Sequence, residues 1–570
     1  MTRVNHVPAS TAGRDRSQRR RRGRIGLAFA ALLATAGVIS ARQISDARLL
    51  HAADEPQNWL MYSATYSGQR YSPLDQINPS NVGNLEMRWL YQGQVLGSWE
   101  SSPLVVDGVM YLTQRPNDIV ALDARTGRIF WIYKYAGPTD YKVCCGANNR
   151  GLAIRGDTLF MGTLDAHVVA VDARNGRQLW DTTVADYHLG YSVSHAPLVV
   201  KDKVIVGTGG GEYGIRGFIA AYDVTTGKEA WRFYNVPAPG EPGSETWTGD
   251  AWKSGGGSIW VTGSYDPELN LTYWGIGNPG PDFNPAQRPG DNLYTNSVVA
   301  LDADSGALKW HFQFTPHDRY DWDSTQVPVL ADATWHGRPT KLLMLANRNA
   351  FFYVLDRVTG KFLLGVPYVK VNWASGLDEK GRPIETPQPP GATTWPGQQG
   401  GTNWYSPSYS PRTGLFYIPA WENFGGVFRS QEMEFRPGQN FMAGGYRTTP
   451  PVPDASVPPN IRRPPVNTWT DAIAHGAIIA MDPQTGQRKW TFPMYDLTDA
   501  GILTTGSDLL FTGGREGFFQ ALNARTGELL WRSTLGSVQV YAPPITYKAG
   551  GEQFVSVICG NVLAAFALKN

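Results

Sequence analysis

A few places in the 570-residue sequence carry side chains that a fold alone does not need. Asp318, Asp321 and Asp323 crowd into the stretch Thr315-Pro-His-Asp-Arg-Tyr-Asp-Trp-Asp-Ser324. Glu212 follows Gly209, Gly210 and Gly211, and Asn278 lies in Gly275-Ile-Gly-Asn-Pro-Gly-Pro281. Carboxylates with an amide oxygen suit a hard cation such as Ca²⁺, where zinc would prefer Cys or His. Spacing alone leaves the acidic stretch equally readable as a solvated loop. Cys144 and Cys145 are adjacent and run into Gly-Ala-Asn-Asn-Arg150. They are either two reduced core thiols or, in an exported protein, a disulfide closing an eight-membered ring.

A repeated phrase supplies the elements that must position these groups. It occurs at Ala121–Trp131, Ala170–Trp180, Ala221–Trp231, Ala300–Trp310, Val354–Leu363 without its Trp, Ala480–Trp490 and Ala521–Trp531. In each, an alternating apolar strand reaches an Asp or Asn, turns through a Gly two residues beyond a variable pair, and leads out towards Trp. The acidic or amide side chain bonds the turn's own backbone and Gly supplies the positive φ, so this is a β-hairpin signature. The turn positions 123, 172, 223, 302, 356, 482 and 523 are 49, 51, 79, 54, 126 and 41 residues apart, and ~40–50 residues is the period of four-stranded propeller blades. The fold expected is all-β, an eight-bladed β-propeller. Seven blades carry the phrase, and the 126-residue interval is expected to hide an eighth without it, together with insertions at the Pro-rich stretches 383–396 and 449–465. The recurring tryptophans are expected to staple neighbouring blades, each burial contributing a few kcal/mol.

Net charge is +2, but residues 1–41 hold eight Arg against one Asp. The remainder is mildly acidic, and nothing in it suits a nucleic acid. The basic segment precedes an apolar run from Ile25 to Ala41 that ends on small residues, the pattern of a signal peptide over 1–41, with an uncleaved anchor as the alternative. A single propeller is expected over 55–568, exported to the periplasm. Three cysteines, Cys144, Cys145 and Cys559, cannot staple a fold of this size. There is no Cys-x-x-Cys-His for a covalently attached haem, so electrons must be exchanged with something outside these residues.

Several stretches together resemble the quinoprotein alcohol dehydrogenases, eight-bladed propellers that carry pyrroloquinoline quinone (PQQ) and a metal ion. They are Trp99-Glu-Ser-Ser-Pro103, Cys144-Cys-Gly-Ala-Asn-Asn-Arg-Gly151, Trp252-Lys-Ser-Gly-Gly-Gly257 with Trp260, Gly263-Ser-Tyr-Asp-Pro267, Gly277-Asn-Pro-Gly280, the acidic stretch and Ala346-Asn-Arg-Asn349. The resemblance implies a chamber in which a Cys144–Cys145 disulfide lies on one face of the quinone and Trp260 on the other, an arrangement suited to a flat ring system. Alone, Trp260 reads as an ordinary blade tryptophan. Glu100, Arg150, Ser194, Gly210, Gly211 and Ser258 would bond the cofactor, Asn403 would support the rim, and Arg348 would reach the quinone oxygens. Glu212, Asn278, Asp321 and Asp323 would hold the metal.

On the same footing, Asp321 would be the base that takes the hydroxyl proton while Arg348 and the metal stabilise the charge that hydride transfer creates. Calcium-type members of the family generally lack a carboxylate two positions beyond the catalytic Asp, and lanthanide-dependent members carry one, here Asp323. The ion expected is a lanthanide rather than Ca²⁺, and the electron acceptor a soluble c-type cytochrome. Two departures from the family bear on the substrate: a mouth tryptophan is replaced near Asp499, and Ser194, Gly209 and Ser258 are small. Insertions at 373–404 and 429–470 could roof the opening. His195 reads as a loop residue. The alternatives are a dehydrogenase of sugars or polyols and, from another class, a non-enzymatic envelope scaffold built on the same repeat.

Overall fold

The turn chemistry in the repeats is what closes the hairpins. In the computed structural model, which describes residues 43–94, 98–449, 474–494, 496–536 and 539–569, Asp123 Oδ1 accepts from the N–H groups of Arg125 and Thr126 at 2.9 and 3.0 Å. Gly127 then turns the chain at φ 71°. Asp223, Asp302 and Asp356 repeat this bonding, and Asn523 does the same with its amide oxygen. The leader and anchor readings of 1–41, and nearly all of the stretch 449–465, lie outside the described residues.

Seven sheets of four consecutive antiparallel strands follow one another along the chain at 104–133, 153–183, 198–234, 264–313, 329–367, 408–493 and 503–534, the last extended by Tyr71–Ser72 as a fifth strand parallel to Leu503–Thr505. Their first three strands are buried almost throughout, and the fourth is exposed or half-buried over most of its length, which puts the fourth strand outermost. The eighth sheet pairs Ile545–Ala549, Glu552–Cys559 and Val562–Leu568 with Leu85–Gln92 from the other end of the described chain, Leu85 opposite Leu568. The protein is an eight-bladed β-propeller.

The expectation that a phrase-less blade hides in the long interval is corrected. Among the described residues between positions 356 and 482 the only blade is the sixth, preceded by a hairpin at Ala374–Leu377 and Pro383–Glu385 and interrupted by a second at Gly425–Ser430 and Gly444–Thr449. The blade without the phrase is the eighth, and it cannot carry one. Its third and outermost strands are not consecutive in sequence, so no tight turn joins them.

Tryptophan docking follows one geometry. The indole N–H groups of Trp131, Trp180, Trp231, Trp310 and Trp490 donate to the carbonyls of Ala173, Val224, Ala303, Arg357 and Ala524, each the residue after the turn Asp or Asn of the next blade, at 3.1–3.2 Å. Each ring lies on the next blade's turn glycine; a Cβ on Gly306 would stand 2.4 Å from Trp231. Trp89, on the closing strand, occupies the same position over Gly127. After the fifth blade, which lacks the ring, Val366 and Leu364 cover Gly486 instead.

An antiparallel blade puts its first-to-second and third-to-fourth turns at one end and its second-to-third turn and exit at the other. The repeat turns therefore occupy one face of the ring, leaving the opposite face to the remaining loops. Among the described residues no helix is long and apolar enough to cross a membrane.

The glycines give a direct test. Gly306→Ala meets both a positive φ and the Trp231 ring, whereas Gly108→Ala meets a positive φ of 86° with nothing within 4 Å. Denaturant unfolding should show Gly108→Ala costing about 1–2 kcal/mol and Gly306→Ala a further ~1–3 kcal/mol from overpacking. Equal losses would mean that ring docking does not need the glycine.

Candidate active site

The chemistry-bearing residues all sit on loops of the face opposite the repeat turns. Glu100, Cys144, Cys145, Arg150, Ser194, Trp260, Asp321, Asp323 and Asn403 lie between one blade's last strand and the next blade's first; Gly210, Gly211, Glu212, Asn278 and Arg348 lie between second and third strands. A cavity of about 220 Å³ is lined by Glu100, Cys144, Cys145, Arg150, Ser194, Gly210, Glu212, Ser258, Trp260, Asp321, Asp323, Arg348 and Asn403. Gly211 and Asn278 stand just behind its lining: a Cβ on Gly211 would be 3.3 Å from Ser258 Oγ and 3.9 Å from Asn278 Oδ1.

Local backbone explains this convergence. Glu212 rides a single turn, Gly211–Tyr213, held between left-handed Gly210 (φ 114°) and Gly214 (φ 63°). Gly210 passes so near Gly190 O that a Cβ would lie 2.0 Å from it, which is why only glycine serves there. Gly277 likewise makes room for Asp323, whose Oδ1 accepts from Asn278 N at 3.0 Å. Asp323 Oδ2 accepts from Arg348 Nη1 at 2.7 Å. Asp321 has a left-handed backbone at φ 60°, and its Oδ2 accepts from Gln398 Nε2 at 2.5 Å. Asp318, the first acid of the loop, turns away from the cavity; it accepts from the N–H groups of Tyr320 and Trp322 at 3.0 and 2.9 Å and shapes the loop.

Burial raises the proton affinity of every carboxyl in this group. Glu212 is pushed up to about 7, chiefly by burial and also by the Asp323 charge. Burial, with Asp323 and Glu212, lifts Asp321 well above the usual aspartate range against the pull of Arg348. Asp323 rises less, because Arg348, Asn278 N–H and the Trp260 indole oppose burial. Glu100 is also raised by burial although Arg150 Nη2 stands 2.7 Å away and Asn148 donates at 2.7 Å. Like charges held together in a dry place favour a bound cation.

Cys144 and Cys145 are joined as a disulfide. Their sulfurs and a Glu212 carboxylate oxygen lie within 4.8 Å of one another, but oxidised sulfurs offer no thiolate, so metal ligation falls to the oxygens. The Arg150 guanidinium is stacked over the rings of Trp260 and Trp404 at 5.0 and 5.3 Å and reaches Ser194 Oγ at 3.3 Å. The Nε atoms of Arg150 and Arg348 are buried and have no hydrogen-bond partner among the described residues. Two cationic donors and a confined, ring-lined space fit a flat polyanionic cofactor such as PQQ.

Other sequence readings resolve differently. His195 is a buried structural imidazole, bonded through Nδ1 to Ala196 O and accepting from Gly207 N, with burial lowering it to about 4. Asp499, near which the resemblance implies a replaced mouth tryptophan, is buried and paired with Arg515. The 373–404 insertion brings Gln398, Gln399, Asn403 and Trp404 to the cavity, and the described part of the 429–470 insertion reaches the Glu212 turn, where Phe441 N donates to Glu212 O at 2.7 Å. Gln398, Gln399 and Trp404 carried no spacing signal. Asp282, buried four residues beyond Asn278, was legible only as one more acid in a Gly/Pro loop.

The family model for the β-propeller domain of PQQ-dependent glucose, ethanol and alcohol dehydrogenases matches residues 59–389 and 378–555. The quinoprotein alcohol dehydrogenase PedH of Pseudomonas putida is 38% identical over 576 residues, covering 96% of this chain and 93% of its own. The dehydrogenase subunit of a quinone alcohol dehydrogenase from Gluconacetobacter polyoxogenes is 40% identical over 552 residues, 90% of this chain and 72% of its own. Among solved structures, a europium-containing methanol dehydrogenase superposes with a TM-score of 0.84 at 32% identity, over 92% of this chain and all of its own. The chain therefore belongs to the quinoprotein alcohol dehydrogenases, PQQ-dependent β-propeller enzymes that oxidise small-molecule alcohols.

Proposed function

We propose that the chain is an exported, periplasmic alcohol dehydrogenase in which a lanthanide ion rather than Ca²⁺ assists PQQ, and that a soluble c-type cytochrome takes its electrons. What carries this reading is the gathering of Glu212, Asp321 and Asp323 around the cavity that also holds the disulfide, Trp260 and Arg348. Three anionic ligands balance a trivalent ion better than a divalent one. The similarity to a europium-containing enzyme supports the same choice. Export rests on the Arg-rich, then apolar, segment 1–41, and the external acceptor on the lack of a haem-attachment motif within these residues.

In this reading Glu100, Arg150, Ser194, Gly210, Gly211, Ser258 and Asn403 hold the cofactor, with the disulfide and Trp260 against its faces. Glu212, Asn278, Asp321 and Asp323 hold the metal. Bound PQQ supplies the hydride acceptor and the ion the Lewis acidity that polarises it. Asp321 takes the proton from the alcohol oxygen, one carboxylate oxygen held by Gln398 and the other left to face the substrate. Burial raises its proton affinity and a cation lowers it; the opposition keeps an ionised carboxylate that can still accept a proton. Arg348 is anchored by Asp323 and by Gln398 O, which leaves its Nε to stabilise negative charge developing on oxygen.

Asp321→Asn should keep PQQ binding, read by absorbance, and lose about 10²–10⁴-fold in dye-linked turnover of alcohols; retained turnover removes the base. Reconstitution with La³⁺ should give activity that Ca²⁺ does not match, and Asp323→Ala should narrow that difference. Full turnover with Ca²⁺ alone, without gain from La³⁺, rejects the lanthanide. Stability gives a third test. Because Glu212 is raised to about 7, the metal-free folded state holds a proton that the unfolded chain releases, so stability falls as pH rises from the ordinary glutamate range through that value. Tm of chelator-treated protein should drop between pH 5 and pH 8, and La³⁺ should restore it at pH 8. A flat profile would place Glu212 outside any buried anionic cluster.

A further inference from the structure

We propose that Asp282 is a fourth carboxylate of the cation site, facing the ion and setting its preference for trivalent over divalent charge. The proposal rests on the reading of Glu212, Asn278, Asp321 and Asp323 as metal ligands, and adds a residue to that set. Asp282 lies four residues after Asn278 in the loop between Leu271–Gly275 and Ser297–Asp302. It is 1% exposed, and among the described residues neither carboxylate oxygen meets a donor in full hydrogen-bond geometry, the Asn278 amide being the one side-chain donor close to it. The acids acting on it are those of the proposed site, Asp321 most strongly, then Glu212 and Asp323, and the Arg288 guanidinium acts on it in the opposite sense.

A buried carboxylate so poorly supplied with donors is costly enough that it needs an explanation. The nearby guanidinium does not provide one. Arg288 is fully buried, yet it spends its N–H groups on the carbonyls of Pro281, Asp282 and Asp318 and on Asn292 Oδ1, leaving the Asp282 carboxylate unbonded. Glu212, Asp282, Asp321 and Asp323 then outnumber the buried cations near them, Arg348, which is paired with Asp323, and Arg288. A fourth carboxylate adds to the negative charge that a bound cation must answer in a dry site, and so favours a trivalent over a divalent ion.

The test uses the PQQ-loaded protein stripped of metal and titrated separately with Eu³⁺, read by luminescence, and with Ca²⁺, read by calorimetry. Asp282→Asn should weaken Eu³⁺ binding by about 10–100-fold and Ca²⁺ binding much less, while Asp282→Glu retains the trivalent preference. An unchanged Eu³⁺-to-Ca²⁺ affinity ratio in Asp282→Asn overturns the proposal. Glu212→Gln separates the two readings: if it binds Eu³⁺ as the parent does, the whole ligand set is wrong, and if only Asp282→Asn is silent, Asp282 alone is misassigned. Should Asp282→Asn fail to fold, anomalous scattering from Tb³⁺ in crystals of the unaltered protein decides. A carboxylate of Asp282 within ~6 Å of the ion upholds the proposal and a greater distance overturns it.

Discussion

Negative charge packed where water cannot reach is the constraint around which this face of the propeller is arranged. Bringing Asp323 to Asn278 requires Gly277, where a Cβ would stand 2.3 Å from Asp323 Oδ1, and the turn that carries Glu212 requires Gly210, where a Cβ would stand 2.0 Å from Gly190 O. Arg348 and the backbone N–H of Asn278 hold Asp323, the most compensated acid of the group. Glu212 has no comparable side-chain partner, and its proton affinity rises accordingly. The scaffold absorbs this cost elsewhere, in the continuous buried strands of eight sheets and in the rings that dock each sheet on the next.

How far the sequence revealed this depends on what each residue is bonded to. The blade architecture was legible because each hairpin states its own chemistry within about eleven residues: a strand, an Asp or Asn, a Gly and a ring. The eighth blade was misplaced because its closing contact, Leu85 with Leu568, joins residues that no local window contains. The proposed ligands were legible as residue types, and the resemblance supplied their grouping; spacing alone could not, since Glu212, Asn278 and Asp321 come from three loops of two blades. Gln398 was hidden for the same reason. Its importance comes from touching Asp321 across 77 positions, and an ordinary Gln-Gln pair in an insertion carries no mark of that.

Hydrogen-bond accounting then separates acids that composition treats alike. Asp318 and Asp321 stand three residues apart in one loop, and both are buried. Asp318 takes two backbone N–H groups and so fixes the turn; its charge is already answered by the chain. Asp321 is held by one side-chain amide on one oxygen, leaving the other available for chemistry. Asp282 has neither arrangement. Along this series the protein supplies progressively less of what an ionised carboxylate needs, and what it withholds must come from a bound group. A side chain whose demands the fold meets is scaffold, and one whose demands it leaves open is where a ligand belongs. Asp318 and Asp282 are alike in type and burial and opposite in this respect, and the difference marks where the scaffold gives way to the site.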